Sequence, residues 1–249
     1  MESANAPAGL KEALELFKRP QPVGWPLVAL FLVFPFYMVI GWSFAPGSVF
    51  NTPSSALDAT LPLSPQWTVV YGSLFMAALL PAFVVHDPLL FRRTILAYLV
   101  AWLTAYVFFL AYPTRCPRPM HVEGDGYFVW LLRVIYGSDH RYNCFPSLHV
   151  AQCFIAALAC RVIHRRLGDV LLVWASLVAF STVFTKQHYV ADAIAGGALA
   201  FASGWIMFRD VKTEAISPVA RRLAPALALG AFAVYGAFVV VLWFVYAFS

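Results

Sequence analysis

The sequence predicts an all-α integral membrane protein, and three observations carry that reading: composition, spaced apolar runs and the distribution of cations. Of 249 residues, 61% are hydrophobic and only 12% charged. A soluble domain carries about 25% charged and about 45–50% apolar residues, so the main solvent of this chain is lipid. Mean hydropathy is +0.75, and the length suits one domain of several packed helices. The expected architecture is a six-span membrane domain over 25–208. A cytoplasmic N-terminal segment, 1–24, precedes it, and 209–249 supplies a cytoplasmic loop and a seventh span.

Taken in order, Glu2, Glu12 and Glu15 stand where a signal peptide would carry a basic region, so no cleavable signal is expected. Leu10, Ala13, Leu14 and Phe17 recur at helical spacing with Lys11, Glu12 and Glu15 between them, which predicts a short interfacial helix. Runs long enough to cross a bilayer, about 17–25 residues, then fall near 25–43, 67–86, 94–112, 147–163, 170–187, 189–208 and 224–248. The 44–66 connection is uncharged except for Asp58 and reads as an ordered external loop. Within the longest loop, 113–146, the stretch 127–136 is too short to span and rich in aromatics. It reads as an interfacial segment, either a shield over a site or a plain surface helix. Gly196, Ala200 and Gly204 form a small-xxx-small row suited to helix packing.

Cations orient the chain. Twelve of the 17 Lys and Arg residues fall on one side of these spans, which makes that side cytoplasmic. Arg115, Arg118, Arg133, Arg141 and Lys186 fall on the other side, and binding an anion there is a reason for the exception. The net charge of +5 sits at the ends of apolar runs rather than in one stripe, so no nucleic-acid partner is expected. The expected location is a multi-pass position in the cell membrane, with the site on the non-cytoplasmic face.

Three outward segments combine basic, hydroxyl and imidazole groups: YPTRCPRP at 112–119, NCFPSLHVA at 143–151 and TKQHYVAD at 185–192. His188 and Asp192 are four apart, so on a helix they share a face. A carboxylate there fixes the imidazole tautomer and leaves the other nitrogen as nucleophile or base. A solvated interfacial histidine is the plainer reading, but Asp192 within an apolar span and the neighbouring Lys186 argue against it. Pro146 and Ser147 stand where the fourth helix begins, and a helix N-terminus offers N–H groups to an anion. Ser147 adds a hydroxyl, and His149 in the same turn can act as a general acid. Arg118 and Arg115 carry guanidinium groups suited to phosphate, with anchoring to lipid headgroups as the alternative.

These segments, in this order, resemble the type 2 phosphatidic acid phosphatase superfamily, whose pattern is KxxxxxxRP, PSGH and SRxxxxxHxxxD. Arg118-Pro119 matches the first motif, Pro146-Ser147-Leu148-His149 the second with Leu for Gly, and His188 with Asp192 the third. The likeness covers roughly 67–208. Ala111 stands where the pattern has Lys and Thr182 where it has Arg, so Arg115 and Lys186 become the candidate substitutes. The FPSLH and QHYVAD wording is closer to the branch containing inositol phosphorylceramide synthase, which transfers a head-group phosphate between lipids. The resemblance implies a six-helix core, a reaction without cofactor or metal, and a phosphohistidine intermediate on a lipid phosphate. It assigns His188 as nucleophile, Asp192 as its orienter and His149 as acid then base. Arg118, Arg115, Ser147, Lys186 and the N–H groups around Leu148 would bind phosphate.

His121, Asp125, Asp139 and His140 match no tight metal-ligand spacing and read as solvated loop residues, while His86 and His164 read as interfacial. Cys153 and Cys160 read as buried packing residues. Cys116 and Cys144 either pair as a disulfide in an oxidising compartment or remain free thiols. A transporter would show matching polar interruptions in two halves of the chain, and a structural membrane protein would not need His188 and Asp192.

Overall fold

The computed structural model describes Lys11, Glu12, Glu15, residues 24–44 and residues 48–248. Most of the expected interfacial helix at 10–17, including Leu10, Ala13, Leu14 and Phe17, lies outside the described residues, as do Glu2, Lys18 and Arg19. Among the described residues there is no strand, only the isolated bridges Asn51–Thr114 and Arg115–Tyr142.

Among the described residues, six helices are long and apolar enough to cross a membrane: α1 (Trp25–Ser43), α3 (Pro65–Val84), α4 (Pro88–Ala111), α7 (Arg165–Phe184), α8 (Val190–Phe208) and α9 (Pro218–Ala247). Shorter helices lie between them: α2 (Ala56–Thr60), α5 (Tyr127–Ser138) and α6 (Leu148–Ile163). α3 is helical throughout, with 3₁₀ turns at Pro65–Trp67 and Ser73–Phe75.

The fourth expected span, α6, has 16 residues, a length of about 24 Å. It is short because it is the centre of the bundle rather than a lipid-facing helix. Ala, Cys and Ile dominate its buried positions, and α3, α4, α7 and α8 all pack against it. The outermost helices show the opposite pattern. Phe31 on α1 is 71% exposed and Leu229 on α9 is 72% exposed, side chains that only lipid can cover at such density.

Close packing around α6 depends on glycine. A β-carbon on Gly196 would stand 2.3 Å from the Ser147 carbonyl oxygen, and one on Gly204 would stand 2.9 Å from Leu158 Cδ1. With Ala200 fully buried between them, the small-residue row lets α8 lie directly against α6.

Helix ends are locally encoded. Asp87 caps α4 by accepting from Leu90 N–H, ahead of Pro88 in the first turn. Ser147 caps α6 by accepting from Val150 N–H. Pro146 therefore stands one residue before the cap, outside the helical turn that the sequence suggested. His164 ends α6 and caps α7, where its Nδ1 accepts from Leu167 N–H.

Candidate active site

The ends of α4, α6, α7 and α8 that meet at one end of the bundle carry the three polar segments. α7 closes with Gln187 N–H donating to Thr182 O at 2.9 Å and Lys186 N–H donating to Val183 O at 3.1 Å. This is the paired arrangement that ends a helix with a left-handed residue. Here that residue is Lys186, at φ 54°, where glycine would cost less. Thr182, standing where the family pattern has Arg, contributes its carbonyl to this turn, which His188 N–H also joins at 3.1 Å. The reversal delivers His188 to the entrance of α8.

His188 is 3% exposed and Asp192 is fully buried. His188 Nδ1 lies 3.4 Å from Asp192 Oδ2, and His188 Nε2 lies 3.1 Å from His149 Nδ1. The three groups form a chain from carboxylate through two imidazoles. Asp192 Oδ2 also accepts from Tyr189 N–H at 2.9 Å, and the Asp192 carbonyl accepts from Ser147 N–H at 3.0 Å. Those two bonds lock the first turn of α8 to the start of α6. The Tyr71 ring meets His149 edge-on at 5.6 Å. Ser147 Oγ accepts from Val150 N–H, so its own hydroxyl proton is left to donate. The N–H groups of Leu148 and His149, in the first turn of α6, have no intrahelical acceptor.

Arg118 is 8% exposed and held on several sides. Its Nη1 donates to the carbonyls of Asp139 (2.8 Å) and Tyr136 (3.4 Å). Its Nη2 donates to Asp139 Oδ2 (3.2 Å), to His140 O (3.1 Å) and to Gln187 Oε1. Its guanidinium carbon lies 4.9 Å from the centre of the Tyr136 ring. Both terminal nitrogens are engaged by protein, so the guanidinium does not present a free fork. Arg118 Nε and Gln187 Nε2 are buried donors without a partner among the described residues. Burial works against the Arg118 charge, but Cys116 and Asp139 beside it outweigh that and raise its pKa.

The other expected phosphate ligands lie apart. The Arg115 side chain is exposed, on a backbone bridge to Tyr142. Lys186 Nζ donates to the carbonyls of Leu61 (2.6 Å) and Asp58 (3.2 Å), tying the outer loop to the α7–α8 turn. Asp58 completes that tie by accepting from Val190 N–H at the start of α8, at 2.8 Å.

Three residues escaped the sequence reading. Gln187 precedes the histidine of a recognised motif and carried no signal of its own. Asp58 did carry one, as the single charge in an otherwise uncharged loop. Asp139, taken for a solvated residue, instead pairs with Arg118 and accepts from Tyr37 OH at 3.0 Å. His121 and Asp125 are exposed, as expected. α5 lies over this end of the bundle, with Leu131 and Leu132 buried and Tyr136 OH donating to Thr185 O at 2.6 Å. It thus packs onto the turn that carries His188.

Cys116 and Cys144 are both free and buried, without a disulfide. Their thiols are neighbours: the Cys144 hydrogen bond, helped by the Arg118 guanidinium, lowers the Cys116 pKa to about 7 despite burial. Burial, with the Cys116 thiol beside it, raises that of Cys144.

A family model described as the PAP2 superfamily matches residues 53–206, well over half the chain. The chain belongs to the PAP2 superfamily. That stretch runs from the outer loop before α2 almost to the end of α8, and it includes all three polar segments. Membership places the protein among phosphatase-type enzymes that act on phosphate esters. No curated protein and no solved structure matches the chain.

Proposed function

We propose that the protein is a membrane phosphatase or phosphotransferase that breaks a lipid phosphoester through a phosphohistidine on His188. The observation that carries this reading is the Asp192–His188–His149 chain, 3.4 Å and 3.1 Å between partners, set beside the first turn of α6. His188 Nε2 attacks phosphorus and the P–O ester bond breaks, while His149 gives its proton to the departing oxygen. Asp192 holds His188 Nδ1–H and stabilises the positive charge that develops on the ring. Water or an acceptor hydroxyl then returns a proton to His149 and attacks phosphorus, and the N–P bond breaks. Ser147 OH, the N–H groups of Leu148 and His149, Arg118 Nε and Gln187 Nε2 supply the donors for the phosphate oxygens. In phosphoryl transfer such positioning and charge stabilisation supply most of the catalysis. These residues provide nucleophile, acid and electrostatic partners, so the proposed mechanism uses no metal.

In the proposed topology the six long helices and the shorter α6 make seven crossings. The N-terminus is cytoplasmic and the site is on the non-cytoplasmic face, supported by the twelve-to-five division of cations. The FPSLH and QHYVAD wording resembles the inositol phosphorylceramide synthase branch, so head-group transfer stands beside hydrolysis as the alternative outcome.

The test is to trap acid-labile labelled enzyme from a radiolabelled lipid phosphate. His188→Ala abolishes labelling and turnover, and Asp192→Asn lowers the rate by about 10²–10⁴-fold without unfolding the bundle. Chasing the trapped enzyme with water and then with a polyol or ceramide-like alcohol separates the branches. Faster loss of label with alcohol, and label in a new lipid, means transfer. Labelling that persists in His188→Ala, or activity that chelators remove and a divalent cation restores, ends the proposal.

A further inference from the structure

Cys144 comes from a different segment than the His188 and Asp192 pair, yet one ligand atom from each of the three lies within 4.8 Å of the other two. All three residues are buried. Asp192 Oδ1 makes no hydrogen bond among the described residues, and His188 Nδ1 has only its 3.4 Å ion-pair contact with Asp192 Oδ2. Buried polar atoms are normally satisfied, so an unsatisfied carboxylate oxygen and a loosely held imidazole nitrogen near a thiol describe a place suited to a cation. Phosphoryl transfer as proposed above gives the Cys144 sulfur no part.

The donor set identifies the class of cation. Magnesium and calcium take oxygen ligands, whereas thiolate with imidazole and carboxylate suits zinc and its heavier relative cadmium. Metal–ligand bonds of about 2.0–2.3 Å in tetrahedral geometry put ligand atoms roughly 3.3–3.8 Å apart, at most about 1.5 Å closer than the 4.8 Å limit within which these atoms lie. We propose that Cys144, His188 and Asp192 form an inhibitory site for a thiophilic divalent cation of the zinc class, with a fourth position open. The Cys144 thiol donates to the Arg141 carbonyl at 3.5 Å until it ionises. Binding sends the Cys144 thiol proton to solvent. It also occupies the imidazole and the carboxylate that the proposed reaction needs. Inhibition rests on the phosphoryl-transfer reading; binding does not.

The test titrates metal-stripped full-length protein in detergent with Cd²⁺ or Zn²⁺ alone. One cation binds per chain, with a thiolate-to-cadmium charge-transfer band in the ultraviolet. X-ray absorption of the zinc-loaded wild type shows one sulfur at about 2.3 Å beside nitrogen and oxygen at about 2.0–2.2 Å. Cys144→Ser loses the band and weakens binding at least about tenfold, while Cys153→Ser and Cys160→Ser titrate like wild type. Turnover falls on loading and returns with a chelator. A zinc shell of nitrogen and oxygen alone in the wild type overturns the proposal, as does a Cys144→Ser titration matching wild type. If Cys144→Ser fails to fold, the wild-type X-ray absorption decides. These binding readouts need no turnover, so failure of the phosphoryl-transfer reading shows separately, as activity that survives in His188→Ala.

Discussion

His149 Nδ1 and His188 Nε2 face each other at 3.1 Å, nitrogen to nitrogen. With His188 Nδ1 turned toward Asp192, Nε2 is the nitrogen proposed to attack, and in this state His149 covers it. A phosphoryl group between them needs about 3–3.5 Å on the nucleophile side and a hydrogen bond of about 2.6–3.2 Å on the other. The two nitrogens must therefore separate to roughly 6 Å or more, and phosphorus would then lie on the axis between nucleophile and acid.

His149→Ala uncovers Nε2 while removing the acid and base. With an activated substrate, whose leaving group needs no proton, phosphoenzyme formation should survive. Breakdown to water or alcohol should slow by about 10²–10⁴-fold, so labelled enzyme accumulates in a rapid-quench time course. Absence of any labelled enzyme in this variant would count against the assigned roles.

Gln187→Leu removes the acceptor that holds Arg118 Nη2 and the partnerless Nε2 donor. A hydrogen bond to a charged group contributes about 1.5–3 kcal/mol, so kcat/KM should fall by roughly 10- to 150-fold. The bundle should still fold, because Arg118 keeps its bonds to Asp139, Tyr136 and His140. Steady-state kinetics on the lipid phosphate, with a thermal melt as control, checks this.

Gly196→Ala and Gly197→Ala form a matched pair. A β-carbon at 196 meets the Ser147 carbonyl at 2.3 Å, while one at 197 meets nothing within 4 Å. Backbone cannot rotate away, so Gly196→Ala should lose about 1–3 kcal/mol and most activity through displacement of Ser147. Gly197→Ala should be neutral or up to about 1 kcal/mol more stable. Melting temperature and turnover measured together separate the two.

Asp58 gives the outer loop an acid sensitivity. Burial alone would raise its pKa. Hydrogen bonds from Ser55 and from Val190 N–H, with Lys186 nearby, outweigh burial and hold it below the ordinary value. Because the folded value is depressed, the stabilisation is present above the ordinary carboxylate range, near 4, and is lost as pH falls through the lowered value. Asp58→Asn should thus be less stable than wild type at neutral pH, with the gap closing only in strong acid. Melting curves across pH measure it, and a gap independent of pH would refute the assignment.

The sequence by itself determined what depends on neighbours along the chain. Hydropathy over a span-length window located the six long helices and α6, although it began α4 near 94 rather than at Pro88, and Ser147 marks the start of α6 as a local cap. The i, i+4 spacing of His188 and Asp192 and the order of the three motifs pointed to the PAP2 superfamily. Tertiary structure decided the partners, because these lie far apart in sequence. His149 meets His188 across 39 positions, Arg118 reaches Gln187 across 69, and Lys186 reaches the Asp58 carbonyl across 128. A cation in a motif-bearing loop reads the same whether its charge faces substrate or protein. Only packing shows that Lys186 clamps a loop, that Arg115 is exposed and that Asp139 is paired. Packing also explains why α6 is short: a helix enclosed by α3, α4, α7 and α8 is set by its neighbours, whereas hydropathy measures what lipid requires.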